Sequence, residues 1–229
     1  MERFKYTKVI FFYNFGKMSP KIPLGLRIRK SRHRQIAEAQ DILVQVLYRS
    51  FNNAVIHGGT AIWRCYGGQR FSEDIDVYIP RDEAKINNFF EGTSAKGIKL
   101  LRKKIGENSL YSELSFSGVN VRFEAVFKKT EGILGEYETV EGNLISVYTL
   151  SPEGLIKEKA DAYLKRLKIR DLYDIYFLLR SADKTRIKPD ITRLIKGYKP
   201  PVDEEELKVL IIEGIAPDAE KLIEYIKRW

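Results

Sequence analysis

Three carboxylates carry the chemistry this sequence could perform. Asp74 and Asp76 lie two apart in a run whose intervening positions, Ile75, Val77 and Ile79, are apolar. Such alternation describes a half-buried strand, and it turns both aspartates, with Tyr78, to one face. Two hard oxygen ligands presented together suit Mg²⁺, which takes a few carboxylates and completes its octahedron with water and substrate phosphates. Glu124 occupies a second alternating run, in which Val121, Phe123, Ala125 and Phe127 face one way while Arg122 and Glu124 face the other. If the two strands are neighbours, this third carboxylate converges on the same metal site. Two Mg²⁺ ions held by three carboxylates can activate an attacking hydroxyl and neutralise a leaving pyrophosphate.

Upstream, His57-Gly58-Gly59-Thr60 joins a short apolar strand to a helix. Glycines at such a junction let backbone N–H groups approach a phosphate at the positive end of the helix dipole. Arg70 and Ser72, just before the aspartates, add a cation and a hydroxyl donor. Each piece has a plain alternative: Asp-x-Asp as a solvated strand face, Gly-Gly as a turn, Glu124 as an exposed strand residue. Their joint order along the chain is what points to catalysis. His57 reads as a hydrogen-bonded histidine at a strand end, Cys65 as a small core residue, and Tyr173, Tyr176 and Phe177 as core aromatics.

An α/β half of the chain must position these groups. A helix fits residues 31–51, where Ile36, Ala39, Leu43, Val46 and Leu47 form an apolar stripe. A strand at 54–57, a short helix at 60–66 and a strand at 74–79 ended by Pro80 follow. A hairpin turns at Ser117-Gly118 between strands at 110–116 and 119–128. Residues 82–105 read as mostly helical, one or two more strands fall within 137–150, and residues 9–15 have the look of a strand. From Ser151 the pattern changes. Ser151 is placed to cap a helix with Pro152 in its first position, and helices are expected at 152–169, 171–180, 190–196, 203–213 and 218–229. The reading is α+β: a basic segment 1–30, a mixed-sheet domain 31–150 with flanking helices, and a helical domain 151–229.

At 229 residues, with 44% apolar and 31% charged, the chain is globular and not wholly disordered. The net charge of +9 favours anionic partners such as nucleotides or nucleic acid. One cysteine excludes an intrachain disulfide and a cysteine-based zinc site, and points to a reducing compartment, the cytoplasm. Its longest apolar run, 9–15, is broken by Asn14 and falls far short of the roughly 20 residues a membrane span needs, so no membrane partner is expected.

Gly58-Gly59, Asp74-Ile75-Asp76-Val77 and Phe123-Glu124-Ala125 together resemble the signature of the DNA-polymerase-β-like nucleotidyltransferase superfamily, with a gap of 14 residues between Gly59 and Asp74. More narrowly, Gly58-Gly59-Thr60-Ala61 followed by the stretch from Arg70 to Asp76 resembles the AbiEii/AbiGii toxins, nucleotidyltransferase-like proteins of abortive-infection and toxin–antitoxin systems. Lys159, Ala162, Arg166, Arg170, Asp171 and Asp174 match that family's K-x-x-A-x-x-x-R-x-x-x-R-D-x-x-D pattern. On one continuous helix, Lys159, Arg166 and Arg170 would fall within about 40° of each other, a basic row able to hold a triphosphate.

The resemblance implies the nucleotidyltransferase fold and transfer of a nucleoside monophosphate from an NTP to an acceptor hydroxyl, with release of pyrophosphate. It implies Mg²⁺ on Asp74, Asp76 and Glu124, with Glu124 also helping to deprotonate the nucleophile. Gly58, Gly59, Thr60, Arg70 and Ser72 would meet the nucleotide, as would Lys159, Arg166 and Arg170. Asp171 is expected to cap the following helix and Asp174 to orient Arg170. The acceptor stays open between tRNA, other RNA, a protein and a small molecule of the aminoglycoside type, and a cognate antitoxin is implied. The competing reading is a catalytically silent nucleic-acid-binding module that keeps the fold and the positive charge.

Overall fold

A computed structural model describes residues 22–229; the strand expected at 9–15 lies outside them. The chain runs from a short helix α1 (Leu24–Arg27) into α2 (Ser31–Ser50), then β1 (Val55–His57), α3 (Gly58–Cys65) and β2 (Ile75–Ile79). Next come α4 (Glu83–Ala95), β3 (Lys99–Ile105), β4 (Ser109–Phe116), β5 (Val119–Phe127), β6 (Ile133–Glu138) and β7 (Leu144–Thr149). Helices α5 (Pro152–Arg166), α6 (Ile169–Leu178), α7 (Lys184–Gly197), α8 (Glu206–Leu210) and α9 (Ala219–Arg228) complete it.

The seven strands form one mixed sheet in the order β3-β4-β5-β2-β1-β7-β6. Alternation in β2 sends Ile75, Val77 and Ile79 into the core, while Asp76 and Tyr78 stay on the other face. Its parallel neighbour β5 pairs Ile75 with Phe123, Asp76 with Glu124 and Val77 with Ala125. On the other side, antiparallel β1 sets His57 against Asp76. The register therefore fixes the lateral order His57, Asp76, Glu124 on one sheet face. Beneath the opposite face, α2, α3 and α4 pack on the strands, with Phe89 of α4 tilted onto Phe123 at 4.6 Å.

Four elements read from the sequence need correction. Residues 99–105, expected to be helical, form β3, an edge strand paired antiparallel with β4 and exposed along its whole length. With neither face buried, nothing forces an alternating pattern onto it. The helix expected at 152–169 stops at Arg166, because Leu167 takes the left-handed conformation (φ 51°) and Lys168 is the N-cap of the next helix, which begins at Ile169. Finally, α7 starts at an Asp183 cap and carries Pro189 inside it, while only Glu206–Leu210 is helical within 203–213.

Candidate active site

The core of the site is the lateral pair Asp76 and Glu124. Neither carboxylate accepts a hydrogen bond or ion pair from any described residue. Burial pushes the Asp76 carboxyl up, reinforced by Asp74 and Glu158 and opposed by His57 and Lys159. Glu124 is pushed up by burial and then by the charges of Asp76 and Asp74, with Arg122 opposing. Gly58 makes this geometry possible. Its φ of +68° suits glycine, and a Cβ there would collide with the Asp76 carboxylate.

Asp74, just before β2, is held differently. Arg122 donates to it bidentately, Nε to Oδ1 and Nη2 to Oδ2, each at 2.7 Å. Thr60 is fully buried and its hydroxyl donates to the Asp74 carbonyl oxygen. Thr60 thus fixes the backbone that carries Asp74; its hydroxyl faces that carbonyl and not the cleft, contrary to the expected nucleotide contact. Asp74, Asp76 and Glu124 line one cleft, but among the described residues no three Asp, Glu, His or Cys side chains gather into a ready-made metal cluster. Arg122 has drawn Asp74 into an ion pair of its own.

Opposite the sheet stands a cationic wall whose members are tethered by buried acids. Lys159 Nζ lies 3.3 Å from Asp171 and 2.8 Å from Asp174. Arg166 donates to Asp171 at 2.7 and 2.8 Å, and Arg70 grips both oxygens of Asp174 at 2.5 Å. Asp171 and Asp174 are fully buried. Burial alone would raise the Asp171 pKa, but hydrogen bonds from Arg166, with Lys159 and Arg70 nearby, hold it below the ordinary value. Both acids differ from their expected roles. Lys168, not Asp171, occupies the cap of α6, and Asp174 holds Arg70 and Lys159 rather than Arg170. The break at Leu167 replaces the continuous basic row by two helix ends meeting across these acids. Arg170 has no hydrogen-bond or ion-pair partner among the described residues.

Carboxylates and cations enclose a highly polar cleft of about 190 Å³ lined by Gly59, Arg70, Ser72, Asp74, Asp76, Arg122, Glu124, Lys159, Arg166 and Arg170. A second cavity of about 280 Å³ adjoins it, sharing Arg70, Ser72, Asp74, Arg122 and Arg170 and adding Phe71, Glu73, Glu206, Val209 and Leu210. Gly59 has no room for a side chain, since a Cβ would stand 2.5 Å from the Ser72 hydroxyl and 2.8 Å from Arg70. Helix α3 begins at Gly58 with no side-chain cap, so its first N–H groups remain available to an anion.

Two further participants were not singled out from sequence. Arg122 sits at the period-two position before Glu124, and that spacing was its only signal. Glu158 of α5 reaches back to β1 and β2, accepting from the Tyr78 hydroxyl at 2.5 Å and lying 3.1 Å from His57 Nδ1. His57 stacks flat on Tyr78 at 4.0 Å, which makes it the hydrogen-bonded strand-end histidine the sequence suggests.

The donor set fits a hard divalent cation. Its ligating atoms are all carboxylate oxygens, and Asp76 and Glu124 lie side by side without a proton donor, their charges mutually unfavourable. A family model described as nucleotidyl transferase AbiEii toxin, type IV toxin–antitoxin system, matches residues 41–221. No curated protein sequence matches the chain significantly. Among solved structures, the nucleotidyltransferase toxin MenT4 of Mycobacterium tuberculosis H37Rv superposes with a TM-score of 0.62 at 17% identity, covering 90% of this chain and 88% of that one. JHP933 from Helicobacter pylori superposes with a TM-score of 0.53 at 18% identity, covering 82% and 88% respectively.

Proposed function

The chain belongs to the AbiEii nucleotidyltransferase toxin family, and from that membership we propose that it moves a nucleoside monophosphate from an NTP to an acceptor hydroxyl with Mg²⁺ as cofactor. Nucleotidyltransferases of this kind generally use a divalent metal. One observation carries the reading: a single polar cleft joins the Asp76–Glu124 pair to Lys159, Arg166 and Arg170. Asp74, Asp76 and Glu124 would hold the ion, which when bound neutralises phosphate charge and lowers the pKa of a bound hydroxyl.

The protein's own groups supply the rest. Gly58 and Gly59 offer backbone N–H groups to phosphate oxygens at the start of α3, and Ser72 adds a hydroxyl. Arg170 and the outward edge of Arg166 meet the remaining triphosphate charge, arginine being suited to bidentate phosphate contacts. Lys159 and Arg70, fixed by Asp171 and Asp174, set the positive potential of the wall. Glu124, with its raised affinity for a proton, is placed to accept one from the attacking hydroxyl. We read residues 31–150 as the catalytic unit and 151–229 as the helical unit that closes the cleft.

The family implies a nucleotide substrate and a cognate antitoxin. The net charge of +9 favours an anionic RNA acceptor such as tRNA over a cationic aminoglycoside. No described helix is long and apolar enough to cross a membrane, and nucleotide chemistry of this kind fits the cytoplasm. The test incubates purified protein with Mg²⁺, each α-labelled NTP, and separate RNA, protein and aminoglycoside fractions. Label transfer that disappears in Asp76→Asn supports the reading. Salt-sensitive RNA binding with no transfer to any fraction would replace it with the silent binding module.

A further inference from the structure

We propose that Arg122 and the divalent ion compete for Asp74, so that ion entry and release of the guanidinium form one coupled event; this rests on the site reading above. Arg122 and Asp74 extend the β5–β2 register by one step beyond Ile75 and Phe123. Thus a cation–anion pair lies directly beside the anion–anion pair of Asp76 and Glu124. Both Asp74 oxygens accept from the Arg122 fork at 2.7 Å. A divalent ion on those oxygens would stand one carboxylate's width from a guanidinium, a like-charge contact that one of them must leave.

The surroundings favour Arg122 as the one that moves. Its side chain is 45% exposed, and an ion pair so open to water is weak enough to exchange. The Asp74 backbone is pinned by the buried Thr60 hydroxyl, which confines the exchange to side chains. Arg122 lines both the polar cleft and the adjoining cavity, so on leaving Asp74 it has open space to turn into beside the same cleft. Asp74 is then withheld from the ion until the ion, with its phosphates, arrives to displace Arg122. The residue is a positioning residue, acting through Asp74.

The test measures Mn²⁺ binding without nucleotide, following free Mn²⁺ by electron paramagnetic resonance. Arg122→Gln should bind Mn²⁺ about three- to tenfold more tightly than wild type, with Arg122→Lys between them because it keeps the charge but loses the fork. In an Asp74→Asn background, Arg122→Gln should give no gain, which is the double-mutant signature of competition for that carboxylate. A gain that persists without Asp74 overturns the proposal, since it reports only a general loss of positive charge. Equal affinities for wild type and both Arg122 variants, with binding still lost in Asp76→Asn, also overturn it while leaving the metal-site reading intact. Absence of Mn²⁺ binding in wild type and variants alike removes both.

Discussion

Asp76 and Glu124 stand opposite each other on adjacent parallel strands, and neither carboxylate has a donor among the described residues. Burial first, and then the charge of Asp74, raises both pKa values, with Glu158 adding to Asp76 and Asp76 adding to Glu124, so their ionised forms work against the folded state. A fold that keeps two such groups side by side gives up stability at that point. Their replacement by amides should therefore separate activity from stability in opposite directions.

For Asp76→Asn and Glu124→Gln, Tm should rise relative to wild type at pH 7 without added metal. The sign follows from the raised pKa values: each carboxyl favours folding only while protonated, and that contribution is lost as pH rises through its folded value. Transfer activity should fall by about three orders of magnitude, the equivalent of several kcal/mol of lost metal-assisted stabilisation. Thermal melts and label transfer on the same preparations check both halves.

Arg170→Ala should weaken NTP binding by about 1.5–3 kcal/mol, the range for a charge-assisted hydrogen bond, and leave Tm nearly unchanged. Arg170 lines both cavities and is tied to no buried acid. Calorimetric NTP titration distinguishes this from a purely structural arginine, which would lower Tm and spare affinity.

Asp171→Ala should cost about 3 kcal/mol of folding stability, because it leaves Lys159 with one acid fewer and Arg166 with none in a buried network. Loss of a helix cap would cost only about 1 kcal/mol. The lowered Asp171 pKa gives the pH dependence its sign. The stabilisation is complete above the ordinary value of 3.8 and is lost as pH falls below it toward the folded value. Denaturant melts from pH 6 to pH 3 should show the wild type losing its advantage over Asp171→Asn in that acidic window.

Gly58→Ala should reduce transfer at least about a hundredfold while costing about 1–2 kcal/mol of stability for a left-handed alanine. The added methyl meets the Asp76 carboxylate itself, so the damage falls on chemistry more than on folding. Paired kinetics and melts check the disproportion.

Sequence pattern makes the sheet face readable where one side of a strand is buried. Ile75, Val77 and Ile79 reveal the position of Asp76, and Phe123 with Ala125 reveals Glu124, because burial enforces their period of two. The same logic fails for Lys99–Ile105, exposed on both faces. Leu167 carries no glycine or proline signal for its left-handed turn, so the break between α5 and α6 is invisible in the residues. Arg122, the hydrogen bond that Thr60 makes, and Glu158 escape for another reason. Their partners, Asp74, the Asp74 carbonyl and the His57–Tyr78 pair, are distant in sequence, and no local pattern encodes who meets whom.

The parallel pairing of β2 with β5 carries a consequence in time. Strands running the same way cannot join through a tight turn, so Asp76 meets Glu124 only after α4, β3 and β4 have looped out and returned. Closing that long excursion costs entropy before the contact repays it, which places the carboxylate pair among the slower contacts to form. The cationic wall follows later still in the chain, with Arg170. On a ribosome, a growing polypeptide that has exposed every residue through Glu124 still lacks Lys159, Arg166 and Arg170, the later cations that line the same cleft. Competence thus arrives no earlier than the synthesis of Arg170, about three-quarters of the way along the chain, giving a partner that binds the nascent chain an interval in which to act before any nucleotide is turned over.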